Sequence, residues 1–180
     1  MPKLRNIMLS FFSISILLFS QNSMASTKIA IIDTQKIIDK STARQTIIDQ
    51  IKRKGDSFKA QLQETENTLK EESETLDSQR GTITNEAFES KKKGFQKRVL
   101  DKKHEFQSKH KKLLTAEKKA MKELSDKILS IVESLAKERN FSLALPKAAA
   151  LYSAPSLDIT DDVLNQLNKE LPKISVNVGK

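Results

Sequence analysis

Along the middle of the chain, positions 48, 51, 55, 58, 62, 65, 69, 72, 76, 79 and 83 step by three and four residues in strict alternation. That is the spacing of the apolar seam of a coiled coil. Ile48, Ile51, Phe58, Leu62, Leu69, Leu76 and Ile83 occupy it, while Gly55, Thr65, Glu72 and Gln79 dilute it. A second apolar series follows at Phe88, Phe95, Val99, Leu100, Phe106, Leu113 and Leu114, then thickens from Ala116 to Leu135. Leu76 with Phe88, Leu69 with Phe95, Phe58 with Phe106, and Ile51 with Leu113 all have numbers summing to 164. A single fold-back near residues 80–85 accounts for all four. The pattern predicts an antiparallel hairpin of two helices from about Ile37 to Leu135, each arm roughly 65 Å long at ~1.5 Å per residue.

The seam is uneven. Between Ser57 and Arg80 the apolar residues are Phe58, Ala60, Leu62, Leu69 and Leu76, whereas about half the positions from Leu113 to Leu135 are apolar. A two-helix contact needs a narrow stripe, and a broad one must face several neighbours. The base of the hairpin is therefore expected to pack on other elements or other copies of the chain, with the distal arm in water.

The flanks predict a small body. Lys28–Asp33 reads as a buried strand, with Asp33 and Thr34 as helix-capping residues for the first arm. Thr84 is suited to cap the return helix. Phe141–Leu145 reads as a second strand ended by Pro146, and 149–153 as a third strand or a helix. Thr160 is placed to cap a last helix, with Asp161 and Asp162 in its first turn and Pro172 as its stop. Two or three short strands do not close a stable sheet alone, so a symmetric homo-oligomer that pools strands and helix bases is expected. The expected fold class is α+β: a long helical hairpin projecting from a small β-rich oligomerisation body. The expected divisions are a signal peptide at 1–25, the body at 26–35 and 141–172, the arm at 36–140 and a flexible tail at 173–180.

The first 25 residues change the picture of where the chain works. Lys3 and Arg5 precede an uncharged run from Ile7 to Phe19, and Ser23-Met24-Ala25 follows as a small-x-small site. This is the pattern of a cleavable export signal cut after Ala25; the apolar run falls short of the ~20 residues of a membrane span. Cysteine is absent, so packing must hold the exported fold without disulfides. One tyrosine, no tryptophan and 37% apolar residues suit an extended helical protein better than a large single core.

With these features in place, the strand Lys-Ile-Ala-Ile-Ile-Asp at 28–33, the charged hairpin, Phe-Ser-Leu-Ala-Leu at 141–145, Ala-Leu-Tyr-Ser at 150–153 and Leu-Asp-Ile-Thr-Asp-Asp-Val-Leu at 157–164 resemble the Skp/OmpH family of periplasmic chaperones. The resemblance implies a homotrimer whose helical tentacles enclose a cavity. It implies that unfolded outer-membrane β-barrel proteins are held there without ATP, with an anionic membrane surface or lipopolysaccharide as a further contact. No cofactor and no nucleic acid are expected.

Charge refines the expectation. Glu64–Asp77 holds six acids and one base, and lies opposite Lys91, Lys92, Lys93, Lys97 and Arg98 in the 164 register. Pairs across the hairpin would select the fold-back. Residues 57–80 and 85–108 balance to zero, while 43–56 and 109–122 carry Arg44, Lys52, Arg53, Lys54, Lys109, Lys111, Lys112, Lys118, Lys119 and Lys122 against three acids. The positive surplus thus sits near the body, a departure from the basic tips that the resemblance implies. These ten residues are the candidates for attracting an acidic client. Gly55 and Gly94, inside the two helices, are either ordinary weak spots or hinges that let the arm adapt.

Catalysis finds no support. His104 and His110 are six apart, off the i, i+3 or i, i+4 spacing of helical metal ligands, and no phosphate-binding glycine loop or thiol nucleophile occurs. The competing class is a structural coiled-coil spacer of the cell envelope. A nucleic-acid binder fits less well, because stacking aromatics are missing from the basic segment.

Overall fold

A computed structural model describes residues 27–179. The expected signal peptide and its cut after Ala25 lie outside the described residues. The chain runs through strand β1 (Ile29–Ile32), helices α1 (Thr34–Lys40), α2 (Thr42–Ser78) and α3 (Asn85–Arg139), strand β2 (Leu143–Pro146) and helix α4 (Thr160–Glu170).

The hairpin is α2 and α3 joined by residues 79–84. At ~1.5 Å per residue, the 37 residues of α2 and 55 of α3 span roughly 55 and 80 Å. Thr84 caps α3 by accepting from Ala87 N–H at 3.3 Å, and Asn140 ends it in the left-handed conformation at φ 56°. Short polar side chains tolerate that region best after glycine. Gly81, at φ 83°, supplies the positive φ of the tip turn.

The first arm does not start at Ile37 as one helix. Ser41 breaks it: with ψ at 139°, its Oγ accepts from Arg44 N–H at 3.2 Å and donates to the Ile38 carbonyl at 3.0 Å. At 2% exposure, this buried serine satisfies the polar groups at both helix ends. The break turns α1 onto α4, and it also shifts the seam. Ala43 and Ile47 are fully buried while Ile48 is 41% exposed, so the expected seam position at 48 is corrected to 47. From Ile51 outward, Phe58, Leu69 and Leu76 are half-buried as seam members, but Leu62 is exposed.

The core sits at the base. Ile37, Ile47, Leu124, Ile131, Val163 and Leu167 are buried to 1% exposure or less. They form one cluster with Ala30, Ile32, Ala120, Ile128, Leu135 and Ile159. Beyond Leu113, α3 has no buried residue toward the tip.

The body holds less strand than the β-rich expectation. β1 and β2 pair in parallel, Ile29 with Leu143 through Ile32 with Pro146, as a two-stranded sheet. The second strand therefore starts two residues late and includes Pro146. The third strand considered at 149–153 does not form: Lys147–Ala149 is a 3₁₀ turn, and Leu151 and Tyr152 stand exposed. In its place, one bridge joins Ile31 to Asp158. Thr160 is also corrected from helix cap to first helical residue. Its N–H donates to Asp158 Oδ1 at 2.9 Å, and its hydroxyl accepts from Asp33 N–H at 2.9 Å, joining α4 to the end of β1.

The frayed tail is the largest correction. Ile174 and Val176 are 2% and 3% exposed, packed in the core cluster beside the base of α2.

Candidate binding surface

The thin distal seam leaves the two arms incompletely packed. Beside Thr75, Leu76, Gly94 and Phe95 lies an open groove of about 650 Å³. A glycine at 94 has no side chain to fill it. Across the hairpin, Arg98 Nε meets Glu72 Oε2 at 3.0 Å and Lys91 donates to Gln79 Oε1 at 2.8 Å. Two of the other charges expected to face across the hairpin pair within their own helices instead: Glu74 with Lys70 and Lys92 with Glu89. Exposed pairs of this kind contribute only ~0.2–1 kcal/mol each, so the apolar residues carry the register.

The ten basic candidates divide into three groups. Arg53, Lys54, Lys109 and Lys112 converge on a cleft of about 500 Å³ floored by Phe58 and edged by Val178 and Gly179. Lys109 is held from several sides. Its ammonium donates to Gln61 Oε1 at 2.9 Å, pairs with Glu105 at 2.8 Å, and lies 5.1 Å and 6.0 Å from the ring centres of Phe106 and Phe58. That position gains from the negative faces of both rings and places Phe58 beside Phe106. Hydrogen bonds from Lys102 and Lys109 hold the Glu105 carboxyl at a pKa of about 2.

Arg44 and Lys122 are engaged elsewhere. Arg44 is half-buried with Nη1 3.4 Å from Met121 Sδ and an unpartnered buried Nε, and Lys122 chelates Asp126 at 2.7 and 2.8 Å. Lys52, Lys111, Lys118 and Lys119 are exposed. The ten therefore form a positive field with one organised cleft inside it. Gly55 and Gly94 both lie within unbroken helix.

Two surface features escaped the sequence reading. Between α1 and α3, Ile32, Ile38, Ile128, Leu129, Val132 and Pro146 line an apolar groove of about 310 Å³. Near the sheet, Leu143, Leu151, Tyr152 and Leu157 are exposed. Among the described residues no helix is long and apolar enough to cross a membrane, and no cluster of metal-ligating side chains occurs.

The comparisons agree with this architecture. The family model described as "Outer membrane protein (OmpH-like)" matches residues 28–167. The chain is 24% identical over 155 residues to the chaperone protein Skp of Photorhabdus laumondii subsp. laumondii, covering 84% of this chain and 92% of that protein. It is 28% identical over 148 residues to Skp of Blochmanniella pennsylvanica, covering 79% and 87%. The crystal structure of an OmpH-like protein from Caulobacter crescentus CB15 superposes with a TM-score of 0.74 at 20% identity, covering 82% of this chain and 87% of that one; it shares the fold.

Proposed function

We propose, from the premise that this chain belongs to the Skp/OmpH family, that it is an ATP-independent periplasmic holdase. It keeps unfolded outer-membrane β-barrel proteins from aggregating on their way to the outer membrane. The observation that carries the reading is the lopsided hairpin: a dense core at the base and a lean, solvated arm that runs tens of ångströms beyond it. Such an arm has little to contribute to its own fold, and its half-buried phenylalanines and leucines offer weak, distributed apolar contact. A holdase needs many weak contacts, since a tight one would trap the client.

Self-association completes the reading. A two-stranded sheet is marginal alone, and exposed Leu129, Leu143, Leu151 and Tyr152 are apolar surface that copies of the chain would cover. Several arms mounted on a shared body would enclose a cavity, as a homotrimer does with three. The surplus of base-proximal cations would then face the cavity or its mouth and draw in acidic segments or an anionic membrane surface.

The test dilutes a urea-denatured β-barrel outer-membrane protein into buffer with the signal-free chain and no nucleotide. Suppressed turbidity at stoichiometric ratio, with sedimentation of the chain as an oligomer, is expected. A monomeric chain that leaves the turbidity unchanged overturns the proposal and favours an envelope spacer.

A further inference from the structure

The described residues contain a single sulfur atom, that of Met121: cysteine is absent, and Met1, Met8 and Met24 lie in the first 25 residues. Met121 sits on α3 between buried Ala120 and Leu124, and it is partly buried against the core cluster. It is not sealed there, so a small oxidant in solution reaches it. Across from it on α2 is Arg44, whose Nη1 donates to Met121 Sδ at 3.4 Å. The two are poorly matched. A guanidinium is permanently charged and presents five N–H donors in a rigid fork, whereas a thioether sulfur is a weak acceptor. Arg44 Nε, moreover, is buried with no hydrogen-bond partner, and among the described residues no carboxylate pairs with this guanidinium. A buried donor without an acceptor is costly. The junction of α2 and α3 therefore lacks a strong acceptor beside the one side chain that oxidation can turn into one.

We propose that Met121 is an oxidation site and Arg44 its receiving group: a hydroperoxide converts the thioether to a sulfoxide, whose oxygen accepts from the Arg44 guanidinium. With hydrogen peroxide, a sulfur lone pair attacks one peroxide oxygen, and the S–O bond forms as the O–O bond breaks. The proton of the attacked oxygen passes to the departing hydroxide, giving water. Sulfur is oxidised by two electrons and the peroxide is reduced by the same two. One sulfur lone pair faces Nη1, so the oxygen enters on the other, and the rotatable bonds of methionine swing it onto the guanidinium. Sulfoxide formation ordinarily weakens a core, because a polar group enters apolar surroundings. Here the charged donor turns that loss into a charge-assisted hydrogen bond tying α3 to α2 at the base of the hairpin. Methionine sulfoxide reductases, one for each sulfoxide epimer, restore the thioether. This chemistry is independent of the proposed holdase role.

The experiment treats the folded, signal-free full chain with hydrogen peroxide, locates the added oxygen by peptide mass spectrometry, and follows urea unfolding before and after. Arg44→Leu removes the receiving group, and Met121→Leu, a swap that conserves volume, is the sulfur-free control. Met121 should gain one oxygen under conditions that oxidise free methionine. The oxidised full chain should unfold at the same urea concentration as the reduced chain or a higher one. In Arg44→Leu, oxidation should instead shift the equilibrium toward the unfolded state by on the order of tenfold, and Met121→Leu should not respond. Should Arg44→Leu not fold, Met121→Gln decides: its amide oxygen stands in for the sulfoxide oxygen, and it should unfold at no lower urea concentration than the parent. A Met121 left unmodified while free methionine is oxidised overturns the site. Equal losses on oxidation in the full chain and in Arg44→Leu overturn the receiving role, as does a destabilised Met121→Gln. A response of Met121→Leu to peroxide places the effect elsewhere and overturns the proposal as well.

Discussion

Gly55→Ala with Gly94→Ala separates a hinge from a weak spot. Both glycines lie inside continuous helix, and neither has a positive φ that would make alanine strained. A Cβ built at Gly55 meets nothing within 4 Å, and one at Gly94 meets Arg98 Nη1 at 3.6 Å, the far end of a flexible side chain. Each substitution should therefore deliver the full helix-propensity gain of about 1 kcal/mol. The two sites sit at different levels of the arm and share no partner, so the gains should add to about 2 kcal/mol. That corresponds to about a 30-fold smaller open fraction for any fluctuation that unwinds both segments. The core at the base is untouched, so the change should appear in the arm as slower amide exchange, read by hydrogen–deuterium exchange with mass spectrometry. If the glycines serve as hinges, the double variant should also hold a narrower size range of denatured barrel proteins. Unchanged or faster exchange in the arm refutes the energetic reasoning; slowed exchange with an unchanged size range refutes the hinge.

Leu124→Ala removes a fully buried side chain from the base cluster and should cost about 2–5 kcal/mol, whereas Leu62→Ala, at a 39% exposed position, should cost under ~1 kcal/mol; urea unfolding of both variants checks the contrast. Reversing Lys111, Lys112, Lys118 and Lys119 to glutamate should slow capture of an acidic client at least tenfold at low salt, with the difference shrinking as salt rises; stopped-flow rates that do not change refute it. Asp158, hydrogen-bonded by Lys147 and by the Thr160 N–H, titrates at about 2 against an ordinary 3.8. Because the folded value is depressed, its contribution is full above about pH 4 and disappears as pH falls through about 2. After discounting for the half-exposed lysine, Asp158→Asn should cost about 1 kcal/mol at pH 7, and the deficit should close in unfolding curves taken between pH 4 and pH 2.

What the sequence made legible follows from how local each signal is. The helices announce themselves through period and caps, and Thr84 caps α3 through its own side chain. Ile47 in place of Ile48 was hidden because both are isoleucine; only the break at Ser41, and the turn of α1 onto α4, decides which one faces inward. The tail was missed for a similar reason. Ile174, Val176 and Val178 do alternate in the sequence, but three β-branched residues near a chain end read as frayed unless a partner is known. That partner, Gln50, lies 124 residues from Ile174. Pro146, expected just past the end of β2, is its last paired residue, which an edge position permits because proline lacks only the donor. The ten cations were identifiable as a surplus, yet their sorting into a cleft, an engaged pair and an exposed set depends on side-chain partners that spacing does not reveal.

The graded seam also explains how one chain can be firmly folded at its base and, as the proposed holdase role requires, loosely packed along its arm. Burial at the base is concentrated where α1, α2, α3, α4 and the segment around Ile174 and Val176 meet, so the free energy of folding is largely gained there. The distal arm adds helix but almost no buried area, so bending or fraying there disturbs few of the contacts that hold the base. Apolar surface that the arm leaves half-covered at Phe58, Leu69, Leu76 and Phe95 remains available at small cost, since little packing must be undone to expose it. Were the arm as densely packed as the base, those side chains would be committed to each other and the prong would be a rod. Under the proposed holdase role, that leanness is the physical condition for holding a client, and the dense base is what makes it tolerable.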